Sequence, residues 1–314
     1  MHGKRVLALA VLALLCVLAY MTVGVRGSWE FVIAFRGQKL IALTVVAVSV
    51  ASATVLFQAI SHNRILTPSI MGFDALYMLI VTAAVYAIGS QRYVNVPDAA
   101  LFLMTLGVLL VASMALFSVL FAGRDRDLFR LILTGVILAV LFQSITAFLL
   151  RMIDPNEYSV IQVNSYARFE RINTEALWIA TVMSALALTL AWRMRHCLDV
   201  VALGYEAAIN LGESPRKRQL QALALIAVLV ATSTTLVGPV AFLGLLIVSL
   251  ARVVTPTSRH AVVLPSAAMV ALCVLIGGQL VLERVLRLAT PLSAIIDLAG
   301  GAVFLFLILR RRAL

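Results

Sequence analysis

The residues able to do chemistry are few and dispersed. His2, His62, His196 and His260 lie at the amino end or in stretches that join apolar blocks, and Cys16, Cys197 and Cys273 are far apart. Neither set has the close, repeated spacing of a zinc site or a disulfide framework. The cysteines therefore read as small apolar side chains, and no resident metal or cofactor is expected. No Gly-x-x-x-x-Gly-Lys-Ser/Thr segment is present to cradle a phosphate, so the chain is not expected to be an enzyme or to hydrolyse ATP by itself. Two acidic residues fall inside apolar blocks, Asp74 and Asp297, where an unpaired charge is costly. Asp74 lies near one end of its block and reads as a cap or an interfacial group. Asp297, early in the last block, suits either a protein-facing structural role or a polar lining. Small and hydroxyl residues gather at Ser49, Ser52, Ala53 and Thr54 and again at Thr232, Ser233, Thr234 and Thr235. Such residues let helices approach closely, bond across helices or face a watery path.

The elements that would position these groups are set by composition. Of the 314 residues, 63% are hydrophobic and 12% charged, with a mean hydropathy of +1.07, whereas soluble chains run near half apolar and about a quarter charged. The apolar residues come in blocks long enough to cross a roughly 30 Å hydrocarbon core as helix. Alternation with period two is absent, which argues against a transmembrane barrel. The blocks predict an all-α polytopic membrane protein with about ten helices, near 6–23, 39–60, 69–89, 97–120, 128–150, 173–192, 219–236, 240–252, 262–282 and 292–309. The first block follows Lys4 and Arg5 as a secretory signal would, but no convincing small-residue cleavage site lies near Gly24, and it reads as a retained first span. The formal charge of +11 punctuates the spans and does not cover one soluble face, so nucleic acid is not an expected partner.

Distribution of the basic residues orients the bundle. With the amino terminus inside, Lys4, Arg5, Arg64, Arg124, Arg126, Arg130, Arg193, Arg195, Arg216, Lys217, Arg218, Arg252, Arg259 and Arg310 to Arg312 are cytoplasmic, 16 residues against 9 outside. That excess predicts both termini in the cytoplasm. The least certain division is at Gly238-Pro239: a tight outer turn there keeps the helix count even, whereas one broken, tilted span would put the terminal Arg triplet outside. Two connections are long enough to do more than join spans. Residues 151–172, with Asp154, Pro155, Asn156, Glu157, Arg168, Glu170 and Arg171, are expected outside. Residues 193–218 are expected inside and contain a short amphipathic helix, in which Leu203, Ala207 and Leu211 share one helical spacing while Glu206, Asn210 and Glu213 take other directions, with Gly212 and Pro215 as its stop. Such a helix either lies against the headgroups or serves as a handle for a cytosolic partner.

Three stretches carry a resemblance that spans essentially the whole chain. They are Ala202-Leu203-Gly204-Tyr205-Glu206-Ala207-Ala208-Ile209-Asn210-Leu211-Gly212 with the basic turn ending at Arg218; Gly238-Pro239-Val240-Ala241-Phe242-Leu243-Gly244-Leu245; and, more weakly, Asn63 to Phe73. Together with Gly300, Gly301 and Phe304 before the final Arg triplet, they resemble the permease subunits of bacterial iron-siderophore ABC importers (FecCD type), the group that includes the vitamin B12 permease. The resemblance implies a single permease domain over 1–314 of the type II ABC importer fold. It makes 199–214 the cytoplasmic coupling region, with Leu203, Gly204, Glu206, Ala207, Leu211 and Gly212 facing an ATPase, and makes Gly238, Pro239, Phe242 and Gly244 a gate or helix-turn motif. The implied partners are a second permease subunit (a paralogue or a second copy), two cytoplasmic ATPases and a periplasmic or lipid-anchored siderophore-binding protein. Arg26, Arg36, Arg92, Arg151, Arg168 and Arg171 are the available docking cations for that binding protein. The implied cargo is a ferric siderophore crossing the bacterial inner membrane. Haem, cobalamin or another metal chelate is the alternative within the same mechanical class, and an ion-coupled secondary transporter is the alternative outside it. Where many members have Pro-His before the retained arginine, this chain has Val248-Ser249-Leu250-Ala251-Arg252, and Arg64-Ile65 replaces Pro-Leu after Asn63; both departures resemble the branch whose permeases work beside a paralogue.

Overall fold

The two most buried of the long helices carry the small and hydroxyl clusters. A computed structural model describes residues 2–24, 29–120, 128–155, 157–169, 172–285 and 291–311. Its helices are α1 (His2–Thr22), α2 (Trp29–Ser61), α3 (Phe73–Ile88), α4 (Ser90–Asn95), α5 (Asp98–Leu120), α6 (Leu128–Met152), α7 (Tyr158–Asn164), α8 (Thr174–Arg193), α9 (Arg195–Val201), α10 (Tyr205–Asn210), α11 (Pro215–Val237), α12 (Leu243–Val254), α13 (His260–Arg284) and α14 (Leu292–Arg311). All ten expected spans are helices, and α4, α7, α9 and α10 are short additions in the connections. Among the described residues, seven helices are long and apolar enough to cross a membrane, while α3, α12 and the described part of α14 are shorter.

Helix α2 is the hub, packed against α11, α13, α12 and α8. Ser49, Ser52, Ala53 and Thr54 are all buried on it, as are Thr232, Ser233 and Thr234 on α11. Close packing therefore accounts for most of the hydroxyl clusters, because residues this small let helix backbones approach. One pair also bonds across helices, Ser184 Oγ of α8 and Thr232 Oγ1 at 3.1 Å. Helices α1 and α6, by contrast, are apolar nearly all round and mostly exposed, as suits rods that face lipid or another membrane chain.

Contacts at the helix ends fix the topology. Arg5 of α1 donates to the Val254 carbonyl at the end of α12, Arg252 of α12 donates to Gln58 near the end of α2, and His260 at the start of α13 meets Asp199 of α9. These ends share one side, called here the Arg252 face. On the opposite, Glu283 face, Lys39 of α2 pairs with Glu283 of α13 at 2.6 Å, and Glu283 also accepts from Tyr20 of α1 and Gln279. The chain thus reverses between α11 and α12 and reverses again between α12 and α13, so the single broken span is excluded and the helix count stays even.

Two spans start later than expected, at Phe73 where 69 was expected and at Leu243 where 240 was expected. In both cases a non-helical turn is folded into the bundle. Leu66, Thr67 and Met71 of the first turn and Val237 and Val240 around the second are buried. Irregular backbone at this depth is tolerable only because protein surrounds it and supplies its hydrogen bonds. In the first turn, Met71 and Phe73 amides both donate to the Pro68 carbonyl.

Candidate functional site

Two places concentrate the residues singled out in the sequence, and the first is the junction of the two buried turns. A cavity there is lined by Thr54 of α2, by Thr67, Pro68 and Ser69 of the first turn and Asp74 of α3, and by Ser233, Gly238 and Gly244 around the second. Its volume for water centres is about 20 Å³, room for about one water. Asp74, read from sequence as an end-of-helix cap or interfacial group, lies in the first turn of α3 and lines this cavity, and its Oδ2 is buried with no hydrogen-bond partner. Asp297 takes the structural option: its Oδ1 accepts from the Phe242 amide at 3.1 Å, capping α12 from α14. Gly300 of α14 lies against Phe242, where an added Cβ would come within 2.7 Å of the Phe242 Cβ.

The Gly238-Pro239-Phe242-Gly244 motif is assembled as one turn. Gly238 has φ +102 and ψ 176, a conformation essentially confined to glycine. It lies beneath the 166–169 segment, whose Arg168 amide donates to the Val237 carbonyl at 2.7 Å. Gly244 is the point at which α12 touches Thr54 of α2.

The second place is the α9–α10–α11 connection on the Arg252 face. Helix α10 covers only Tyr205–Asn210, six residues, so Leu203 and Leu211 fall outside it. The expected Leu203-Ala207-Leu211 stripe is therefore not one helix face, because the left-handed glycines Gly204 and Gly212 end the helix on either side. Instead Leu203, Tyr205, Ile209 and Leu211 are exposed, Glu206 is exposed, Ala207 is half-buried and Ala208 is fully buried against the bundle. Gly212 and Glu213 amides return to the Ile209 and Ala208 carbonyls at 2.9 and 3.0 Å, closing a Schellman cap with Gly212 at its left-handed position.

Glu213 ties this cap to α11. Arg218 Nε donates to Glu213 Oε2 at 2.8 Å. The Arg218 guanidinium, with the Cys197 thiol of α9 as a second donor, holds the Glu213 carboxyl below the usual carboxylate range. A carboxyl lowered in the folded state contributes stability above its unfolded pKa, about 4.3 for Glu, and loses it as pH falls through the lowered value. Amide protection of residues 208–214, corrected for intrinsic exchange, is therefore expected to stay constant from neutral pH down to about pH 5 and to fall only at more acid pH. Glu213→Gln is expected to remove that acid step.

The six candidate docking arginines separate. Arg26 and Arg171 lie outside the described residues, as do Asn156, Glu170, Arg124, Arg126 and Arg312. Arg92 and Arg151 are exposed on the Glu283 face. Arg168 is half-buried in the segment above Gly238. Arg36 is occupied: its guanidinium fans across the Tyr20, Met21 and Val23 carbonyls at 2.9 to 3.3 Å and, with Arg284, caps the end of α1. Arg36→Ala is expected to loosen α1 by about 1.5 kcal/mol, the scale of hydrogen bonds made by a charged donor, read as faster exchange of the amides that precede the loop.

Residues 6–310 match the sequence profile of the FecCD transport family. The chain belongs to that family. Within the bacterial relatives, the petrobactin import system permease protein YclO of Bacillus subtilis (strain 168) is 38% identical over 311 residues, covering 99% of this chain and 98% of that protein. The petrobactin import system permease protein FatC of Bacillus anthracis is 28% identical over 275 residues, 88% and 78% of the two chains. A solved inward-facing structure described as of the metal-chelate ABC transporter type superposes with a TM-score of 0.83 at 21% identity, covering 98% of this chain and 99% of that one. The all-α polytopic permease fold expected from the sequence is thus the fold observed. Sequence reading missed α9 and its contact with His260, since one aspartate and one histidine 61 residues apart carry no spacing signal.

Proposed function

We propose that this FecCD-family chain is the permease subunit of an ABC importer that moves a ferric siderophore across the bacterial inner membrane. It makes no covalent chemistry of its own, and ATP hydrolysis belongs to separate subunits. The observation that carries the reading is the α10 connection, a short helix seated on the bundle through Ala208, with Tyr205 and Ile209 on it and Leu203 and Leu211 flanking it all exposed beside the basic Arg216 and Lys217. An apolar knob of this kind on a water-facing loop is costly unless a partner covers it, and a cleft in a cytosolic ATPase is the occupant that suits a transport subunit.

On this reading the Arg252 face is cytoplasmic, as the excess of basic residues predicts, and both termini lie there. A second permease subunit, a paralogue or another copy of this chain, covers part of the exposed apolar surface and encloses the path with it. A siderophore-binding protein docks on the Glu283 face, where Arg92 and Arg151 are accessible. The two buried turns that meet between α2, α3, α11 and α12 form the constriction, lined by hydroxyls and the Asp74 carboxyl. The petrobactin importers among the relatives make ferric petrobactin the first cargo to test.

The test is reconstitution of the chain with its ATPase, permease and binding-protein partners in liposomes, with iron-chelate uptake measured against a panel. Uptake of a ferric siderophore that requires ATP inside supports the reading. Uptake by this polypeptide alone, driven by an ion gradient, would overturn it.

A further inference from the structure

The first turn of α13 is capped by a residue from another segment. The preceding residue, Arg259, provides no side-chain cap. Instead Asp199 of α9 reaches across, and its Oδ1 accepts from the His260 amide at 2.7 Å and meets His260 Nδ1 at 2.6 Å. His260 is only 4% exposed while the Asp199 side chain keeps 29% of its surface, so the contact is shielded from water on the His260 side, and the carboxylate makes both hydrogen bonds charge-assisted.

Position in the fold gives this contact its meaning. Helix α10 makes its principal contacts with α9 and α11 only, and α9 in turn touches α13, α2, α11 and α8. A push on α10 therefore enters the bundle through α9 or α11. The α11 route is the Glu213–Arg218 pair at its first turn. The α9 route runs through Asp199 to the end of α13. Helix α13 has 25 residues, about 37 Å at 1.5 Å per residue, and ends on the Glu283 face in the cluster of Glu283, Lys39, Tyr20 and Gln279. It is packed along both α2 and α1 on the way. Pro265, just beyond the first turn, lacks the amide that would donate to the Ala261 carbonyl, so one backbone hydrogen bond fewer ties that turn to the rest of the helix. The first turn is thus gripped by a side chain from α9 and not by its own loop.

We propose that Asp199 and His260 form the joint through which displacement of α10 reaches α13 and, along it, the opposite face of the membrane. Both are positioning residues, since neither touches cargo. This rests on the importer reading, in which α10 is the part that an ATPase moves. A cap supplied within its own loop would stabilise α13 equally well; a cap borrowed from α9 additionally obliges α13 to follow α9.

The experiment uses the full reconstituted assembly and reads ATP hydrolysed per ferric chelate taken up, a ratio that a merely stabilising contact leaves alone. Asp199→Ala removes both hydrogen bonds. It is expected to retain ATPase association and basal hydrolysis while uptake drops about tenfold, the scale of losing hydrogen bonds to a charged group. Asp199→Asn keeps an acceptor oxygen for the His260 amide and is expected to recover most of the uptake. Should Asp199→Ala fail to assemble, His260→Ala, which leaves the backbone cap in place, is expected to raise the ratio by a smaller factor. A wild-type ratio in assembled Asp199→Ala, or in His260→Ala where that variant is the one used, overturns the joint. A wild-type chain that binds no ATPase and needs no ATP would overturn the importer reading itself, and the joint with it.

Discussion

Gly212→Pro is expected to abolish uptake, by about a hundredfold, while leaving thermal unfolding of the helical bundle unchanged. The residue sits at φ +81 and its amide donates to the Ile209 carbonyl. Proline fixes φ near −65° and has no amide hydrogen, a combination that costs roughly 3 kcal/mol in a regular element, which corresponds to about a hundredfold in an equilibrium. The neighbouring Glu213-to-Ala208 bond depends on the same reversal and goes with it. A helix of six residues has no intrinsic stability to fall back on, so α10 loses its shape and Leu203, Ile209 and Leu211 lose their relative placement. Gly212→Ala keeps the amide and meets only the left-handed penalty of about 1–2 kcal/mol, because the space around Gly212 is open. Its uptake is expected to lie between wild type and the proline variant. Co-purification of the ATPase together with uptake checks both, and normal values for Gly212→Pro would remove α10 from the coupling pathway.

The two variants also separate coupling from fold. Ala208 is the only α10 residue fully buried, so α10 contributes little to the core around α2 and can be disordered without unfolding the bundle. This arrangement suits the proposed handle, whose stability would come from the partner that grips it.

Much of the architecture was legible because lipid makes one demand, long apolar helix, and the sequence meets it plainly. The Gly238-Pro239 break was visible as well, and the reversal it makes follows from residues that cannot continue a helix. The depth of the turns was not legible. Nothing in Thr67-Pro68-Ser69 says that the first two are buried and all three line one cavity with Thr54 and Ser233, because burial of irregular backbone depends on which helices surround it. The same limit applies to charge. Arg36 and Arg92 look alike as outer cations, yet one caps α1 and the other is free in solvent, since the distinction lies in the direction of the α1 end. Asp199 and His260 belong to different segments and become a pair only when α9 folds under α13. Local pattern thus identified helices and turns, while contacts between segments distant in sequence decided which polar residues are structural and which line a site.

Those segment contacts make a second large effect predictable at Gly244. A Cβ there would run into Thr54 Oγ1, with the Thr54 Cβ itself at 3.2 Å. Thr54 is buried and set in a helix, so its side chain can only exchange between two rotamers and its Cβ cannot retreat. Gly244→Ala is therefore expected to push α12 away from α2, costing about 1–3 kcal/mol as overpacking does, and to distort the proposed constriction enough to reduce uptake about tenfold or more. Thr54→Ala removes the colliding oxygen, and the double variant Gly244→Ala, Thr54→Ala is expected to recover most of the stability and uptake, since residues in direct contact do not act additively. Gly238→Ala supplies the contrast. Its Cβ would meet the Tyr166 carbonyl oxygen at 2.9 Å and the Ala167 Cα at 3.2 Å, both backbone, in a conformation that adds about 1–3 kcal/mol of strain for any other residue. No side-chain truncation relieves that contact, so Thr54→Ala is expected to leave Gly238→Ala unrescued. Detergent-solution melting and uptake of the five variants decide the matter: strictly additive effects of Gly244→Ala and Thr54→Ala would mean that α12 does not bear on α2 at this point, and the proposed constriction would have to be sought elsewhere.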